Sequence, residues 1–375
     1  MRISSSFDSG NIQTISAESA GDIQLRIQAD HQSHYFQWFH FRLSGARGED
    51  CVMKILNAGD AAYTDGWKNY QAVASYDRQH WFRVPTDYED GVLTICHRPT
   101  SDAVYYAYFA PYPIERHHDL IARTLQSERV QLLPLGPTLD GQDMDLLQIG
   151  EASEHKRRLW IIARQHPGET MAEWWMEGFL ERLTDPEDAT VQQMLEHCVF
   201  YVVPNMNPDG SRRGHLRTNA AGTDLNRAWA QPSLETSPEV YLVRKSMERH
   251  RPDFCLDVHG DEAIPANFIA GAEGIVGWSD RLAGLQQRYL DALLAASPDF
   301  QTELGYPVDP PGQANPAIAT NFLGQHFDCL SMTLEMPFKD HRDNPEPLQG
   351  WSPARSRRLG RDCLTAMAQV LPVLR

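Results

Sequence analysis

Over the first ~115 residues, apolar positions come in short runs rich in aromatic and β-branched side chains, with glycine, asparagine, aspartate and proline between them. Runs at 35–42, 52–56, 81–84, 92–96 and 104–109 have the length and spacing of strands. Short strands broken by turns predict a small antiparallel β-sandwich. The proline-bearing stretch Ala110-Pro111-Tyr112-Pro113 ends this texture, and the boundary is placed so that 1–116 form the sandwich.

From 117 to 375 the pattern is different. Continuous apolar runs at 159–163 and 199–203 alternate with helical stretches such as 170–183. Buried runs interleaved with helices predict an α/β domain whose sheet is covered on both faces. In such sheets function gathers in the loops beyond the carboxyl ends of the strands.

Composition narrows the class. The chain has 375 residues, 42% hydrophobic and 22% charged, as expected of a folded globular protein. No apolar stretch has the length of a membrane span, and the polar start lacks the apolar core of a secretory signal. The six cysteines form no C-x-x-C pair, which suits reduced thiols in a cytoplasm. A net charge of −16 argues against a nucleic-acid or anionic-membrane partner.

The unusual polar residues fall just after the apolar runs. His166 and Glu169 are separated by Pro167-Gly168 beyond the run at 159–163. That spacing can aim an imidazole and a carboxylate at one point. Taken alone, it reads better as a loop histidine and a first-turn glutamate that suits the helix dipole. His259 follows the run at 254–258 and is itself followed by glycine. It would complete a His₂Glu set, the pattern of a catalytic zinc with one open position. Asn207-Pro208-Asp209-Gly210 reads as turn chemistry, whereas arginines at 212, 213, 217 and 227 stand out in so acidic a chain. Glu335 lies in the otherwise apolar run 331–338 and is either a solvent-facing edge position or a desolvated catalytic carboxylate.

These motifs occur in a fixed order: His166-x-x-Glu169, Asn207-Pro208-Asp209-Gly210, Arg217, Asp224-Leu225-Asn226-Arg227, His259 and Thr333-Leu334-Glu335. Together they resemble the zinc metallocarboxypeptidases of the carboxypeptidase A superfamily. The aromatic segment 35–41, the segment 108–113 and the short interval from Arg217 to Asn226 resemble the cytosolic carboxypeptidase branch in particular. The resemblance implies an N-terminal β-sandwich followed by a carboxypeptidase-like α/β domain, with a central mixed sheet flanked by helices. It implies one Zn2+ per chain held by His166, Glu169 and His259, and Glu335 as general base and acid. It assigns Arg217 to the scissile carbonyl and Asn226 with Arg227 to the substrate's terminal carboxylate. The mobile-loop tyrosine of the family has Tyr306 as its candidate. The substrate implied is a peptide or protein C-terminus. Relatives in this branch take acidic C-terminal residues, but the stretch 314–322 contains no lysine or arginine to receive one.

Two other readings compete. A zinc amidohydrolase of the aspartoacylase or desuccinylase type shares the His₂Glu site and acts on N-acyl amino acids. An inactive module that holds peptide C-termini is the third, although every expected catalytic role has a residue. Elsewhere simpler readings are preferred: His117-His118 exposed, Trp174-Trp175 as packing, and the arginines of 355–361 as a solvated helix face.

Overall fold

Alternation of buried and exposed side chains lays the first hundred residues into two five-stranded sheets. In Cys51–Ile55 every second residue is buried, the period of a strand with one face on a core. One sheet is antiparallel throughout, in the order Arg2–Ser4, His40–Ser44, Ala103–Ala107, Val73–Ser75 and Phe82–Arg83. The other runs Gln13–Ser16, Ile23–Arg26, Cys51–Ile55, Val92–His97 and Thr86–Glu89, with a single parallel pairing between Ile23–Arg26 and Cys51–Ile55. Phe41 and Tyr106 sit opposite one another in register, with ring centroids 5.3 Å apart. The structure, a computed structural model, describes residues 1–374.

The run at 35–42 does not form one strand. Only His40–Ser44 joins the sheet, because the residues before it are claimed by other bonds. Gln37 accepts from the backbone N–H of Tyr63 (2.8 Å) and donates to its carbonyl (3.0 Å). Trp38 Nε1 donates to the carbonyl of Ser9 at 2.9 Å.

The second sheet system has seven strands: Val130–Pro137, Asp143–Ile149, Cys198–Val203, Arg157–Ala163, Phe254–Val258, Leu330–Glu335 and Phe268–Ala270, in that order. The central four are parallel and the flanking strands antiparallel, so the sheet is mixed. Successive residues of Arg157–Ala163 point to opposite faces. Leu159 and Ile161 share a core with the helices Met171–Leu183, Asp280–Ala296 and Pro353–Val370. Trp160 and Ile162 face Pro238–Arg249 and Ala319–Phe327. Helices on both faces explain why all five residues of Phe254–Val258 are buried.

Helices Met171–Leu183 and Pro353–Val370 meet through glycine. A Cβ on Gly178 would lie 2.1 Å from the carbonyl oxygen of Arg357, and one on Gly360 would lie 2.3 Å from that of Trp175. Trp174 and Trp175 are buried as packing residues. The arginines near this contact are only in part a solvated face: Arg358 and Arg361 are exposed, but Arg355 and Arg357 are drawn into ion pairs. Arg355 is buried and pairs with Asp299 at 2.6 Å, Arg358 reaches the same carboxylate at 2.9 Å, and Arg357 reaches Glu177 at 3.1 Å. His118 is exposed, but His117 turns inward and lies 2.6 Å from Glu173. Adjacent helical residues diverge by 100°, so one of a pair can be buried without the other.

The sandwich packs directly on the α/β region. Tyr108 stacks on Phe338 with centroids 4.5 Å apart, and Ala110 O accepts from both Thr170 Oγ1 and Trp174 Nε1 at 2.9 Å. Among the described residues no helix is long and apolar enough to cross a membrane.

Candidate active site

The carboxyl ends of the parallel strands converge on one cavity of about 490 Å3. Arg157–Ala163 delivers the loop carrying His166 and Glu169. Arg164 opens that loop with a positive φ of 59°, and its buried guanidinium fastens the turn through Pro167 O (3.0 Å) and Glu173 (2.6 Å). His259 directly follows Phe254–Val258, and Glu335 is the last residue of Leu330–Glu335.

His166 Nδ1 lies 2.6 Å from one oxygen of Glu169, and His259 Nδ1 lies 2.7 Å from the other. One donor atom from each of the three falls within 4.8 Å of the others. The outward nitrogens are also fixed. His166 Nε2 is 3.1 Å from Asp224, and His259 Nε2 is 2.9 Å from Asp257. Gln165 donates to Asp257 at 2.6 Å and accepts from Trp229 Nε1 at 2.8 Å. Carboxylates behind the imidazoles set the tautomer that leaves Nδ1 free to ligate, as in metal centres with histidine ligands. Burial alone would push the Glu169 carboxyl up, but the two imidazoles hold it below the usual carboxylate range. Burial likewise opposes the Asp224 charge, which His166 and then Arg217 hold ionised. Two imidazole nitrogens and an ionised carboxylate, all buried, suit zinc in both ligand type and number.

Glu335 is only 6% exposed, and its Oε2 has no hydrogen-bond partner among the described residues. Burial drives its carboxyl well above the ordinary range; His259 opposes this, and Glu169, Asp261 and Glu262 reinforce it. Arg217 donates Nε–H to Asp224 at 2.8 Å. Asn226 accepts from the backbone N–H of Ala319 at 2.8 Å, and its amino group bonds to nothing else among the described residues. Arg227 donates to the carbonyl of Asn226 at 2.7 Å and lies exposed on the cavity wall. Tyr306, 46% exposed, turns its hydroxyl inward to Asp261 (2.7 Å) and Glu335 (3.3 Å). All eight residues singled out in the sequence thus border this space or lie directly behind it.

Arg212 and Arg213 are absent from the cavity lining, and Arg213 is held by both oxygens of Asp140 at 2.7 Å. Several neighbours had no assigned role in the sequence. Asp261 and Glu262 follow His259-Gly260 directly, and that adjacency was a usable signal. Tyr63 comes from the sandwich and carries no local signature, yet it lines the same wall.

Residues 3–109 match the cytosolic carboxypeptidase N-terminal domain, and residues 118–262 match zinc carboxypeptidase. A metallo-carboxypeptidase from Pseudomonas aeruginosa, solved with (2-guanidinoethylmercapto)succinic acid, is 51% identical over the whole of both chains, with a TM-score of 0.98. The chain belongs to the zinc carboxypeptidase family. A metallo-carboxypeptidase of this family from Burkholderia cenocepacia is 44% identical over 99% of both chains, with a TM-score of 0.97. An uncharacterized protein of Zymomonas mobilis is 52% identical over all of this chain and 97% of its own length. Human cytosolic carboxypeptidase 1 is 27% identical over 72% of this chain, which corresponds to 26% of the human protein. Family and structural relatives together indicate zinc carboxypeptidase function and a zinc requirement.

Proposed function

We infer that the chain hydrolyses the C-terminal peptide bond of peptides or proteins, using one zinc per chain held by His166, Glu169 and His259. The observation that carries this reading is Glu335: a buried carboxylate, with one oxygen unpartnered among the described residues, facing the same cavity as His166 and Glu169. Zinc bound there would supply Lewis acidity, which lowers the pKa of water to near neutrality. Glu335, its proton affinity raised by burial, accepts the proton of the attacking water and passes it to the departing amine. Arg217 faces the oxyanion that forms on the scissile carbonyl. Asn226 and Arg227 bind the free carboxylate, which makes the reaction an exopeptidase one. Tyr306 closes over the bound chain end.

The C-terminal side chain removed is proposed to be neutral or cationic. Arg217 and Arg227 are the only cations among the lining residues and already have roles, whereas Glu262, Glu273 and Asp309 also line the space. The ligand of the P. aeruginosa relative joins a guanidino group to succinic acid, which fits the same charge arrangement.

The division at 116/117 into a sandwich and a catalytic domain is part of this proposal, although it falls in the first turn of helix Ile114–Thr124. A cytoplasmic location fits six cysteines that are scattered without a C-x-x-C pair. The test is release of the last residue from peptides with free and amidated C-termini, alongside N-acyl amino acids, before and after chelation. Chelator-sensitive release from free-carboxylate peptides alone is expected. Preferred cleavage of N-acyl amino acids would move the chain to the amidohydrolase reading. Binding of peptides without cleavage by the zinc-loaded protein would favour the inactive module.

A further inference from the structure

Arg217 lies on a loop whose backbone is held from the other end of the sequence. Asp30 follows the strand Ile23–Arg26 in the sandwich and is 3% exposed. One of its oxygens accepts the backbone N–H of Leu216 at 2.7 Å. The other accepts the N–H groups of Arg217 and Thr218, each at 2.8 Å, and the Thr218 hydroxyl at 3.0 Å. Asp30 forms no ion pair among the described residues, so its charge is compensated by these four bonds. Hydrogen bonds to an ionised acceptor are roughly twice as strong as neutral ones, and three consecutive amides on one carboxylate fix the local backbone.

Further bonds tie the same loop to the same side. Ser9 N–H donates to Arg212 O (2.9 Å), Asn11 Nδ2 to Gly214 O (2.9 Å) and His31 N–H to His215 Nε2 (3.1 Å). At the loop's far end, Gly222 has φ +75°, and a Cβ there would lie 2.6 Å from the carbonyl oxygen of Gln32. The Arg217 guanidinium then lies over the rings of Tyr35 (5.4 Å) and Tyr63 (5.6 Å), both from the sandwich. With Nε bonded to Asp224, its terminal nitrogens make no bond among the described residues and remain available to substrate.

We propose that Asp30 is a positioning residue for Arg217: the sandwich, through this carboxylate, sets the backbone from which the oxyanion-facing arginine projects. The inference rests on the role assigned to Arg217 above. It gives the sandwich a part in the chemical step beyond covering apolar surface. Preorganised donors act only if they are held within a fraction of an ångström, and a 1 Å misplacement costs about 10²-fold in rate.

The test is a double-mutant cycle on the zinc-loaded full chain. Asp30→Asn keeps the shape but turns an NH2 toward amide donors. It is expected to lower kcat about 10²-fold, with KM within about threefold and zinc content unchanged. In an Arg217→Ala background the same change is expected to cost almost nothing further, because both act through one group. A structural role alone gives additive losses, and that result overturns the proposal. Thr218→Val removes one of the four bonds while leaving Asp30 in place, and serves if Asp30→Asn fails to fold; a smaller, equally non-additive loss is expected. Amide hydrogen exchange at residues 216–218 gives a readout independent of turnover. Protection there should fall in Asp30→Asn while the sheet strands stay protected, and unchanged protection overturns the proposal even if no peptide substrate is found. Lack of turnover by the zinc-loaded wild type, by contrast, counts against the functional reading and not against this contact.

Discussion

The Tyr306 hydroxyl lies 3.3 Å from one oxygen of Glu335 and 2.7 Å from Asp261, so it bridges the buried carboxylate and the cavity wall. The ring carrying it is partly exposed, whereas the other oxygen of Glu335 is buried and has no partner among the described residues. Glu335→Gln preserves this shape and removes only the ability to take and return a proton. Zinc content should be unchanged and kcat should fall by about 10²- to 10⁴-fold. Substantial residual turnover in a stopped assay with mass-spectrometric detection would remove Glu335 from the mechanism.

His259→Ala deletes one of three donor atoms and leaves Asp257 without its imidazole partner. Elemental analysis should find about one zinc per wild-type chain and almost none in this variant or in His166→Ala. Retention of stoichiometric zinc by both variants would place the metal elsewhere.

Arg227→Ala should act on binding. The side chain is exposed at the cavity wall and, among the described residues, bonds only to the carbonyl of Asn226. KM for free-carboxylate peptides is expected to rise at least tenfold, roughly the 1.5–3 kcal/mol of a hydrogen bond to a charged group. Equal wild-type rates on amidated peptides would contradict exopeptidase selection.

Peptides that differ only in the last residue test the charge of the cavity. Because Glu262, Glu273 and Asp309 line it and no uncommitted cation does, C-terminal arginine or lysine should exceed glutamate in kcat/KM by about tenfold. A preference for glutamate would show that Arg217 or Arg227 also reads the side chain.

A fourth acid allows a stability test away from the metal ligands. Glu239 is fully buried beside Asn219, and burial pushes its carboxyl up to about 7. A carboxyl whose pKa is raised by folding binds more protons in the folded chain between about 4.5 and 7, so stability falls as pH rises through that window. Glu239→Gln should therefore be more stable than wild type at pH 8, by on the order of 1 to 3 kcal/mol. The difference should shrink below about pH 5. Parallel denaturant titrations at both pH values measure it, and a pH-independent difference would contradict the assignment.

Much of the sheet was legible because period-two and continuous apolar patterns follow directly from burial. The run at 254–258 is the strand Phe254–Val258 without adjustment, and the run at 199–203 gains only Cys198. Convergence of His166, Glu169 and His259 was legible because each follows a buried run, and parallel strands put such endings side by side. Asn207-Pro208-Asp209-Gly210 was read as a turn, yet Asn207 caps a short helix, Pro208–Arg213; cap and turn chemistry use the same residues. Asp30 could not be found because a carboxylate in a polar loop has no signature, and its partners lie 186 to 188 positions away. The burial of Arg355 and the pairing of Arg357 were hidden for the same reason, since Asp299 and Glu177 reach them only through the tertiary fold, whereas Arg358 and Arg361 are exposed as expected.

The contact between Asp30 and the Arg217 loop also orders events during synthesis. A ribosome releases Asp30, Tyr35 and Tyr63 well before Arg217, so the surface that receives the loop can be in place when the loop emerges. His259 comes later, and Glu335 arrives only with Leu330–Glu335, the last of the parallel strands to be made. A nascent chain that has just passed Arg217 therefore still lacks His259 and Glu335, and the hydrolytic centre can be complete only once Leu330–Glu335 has been made.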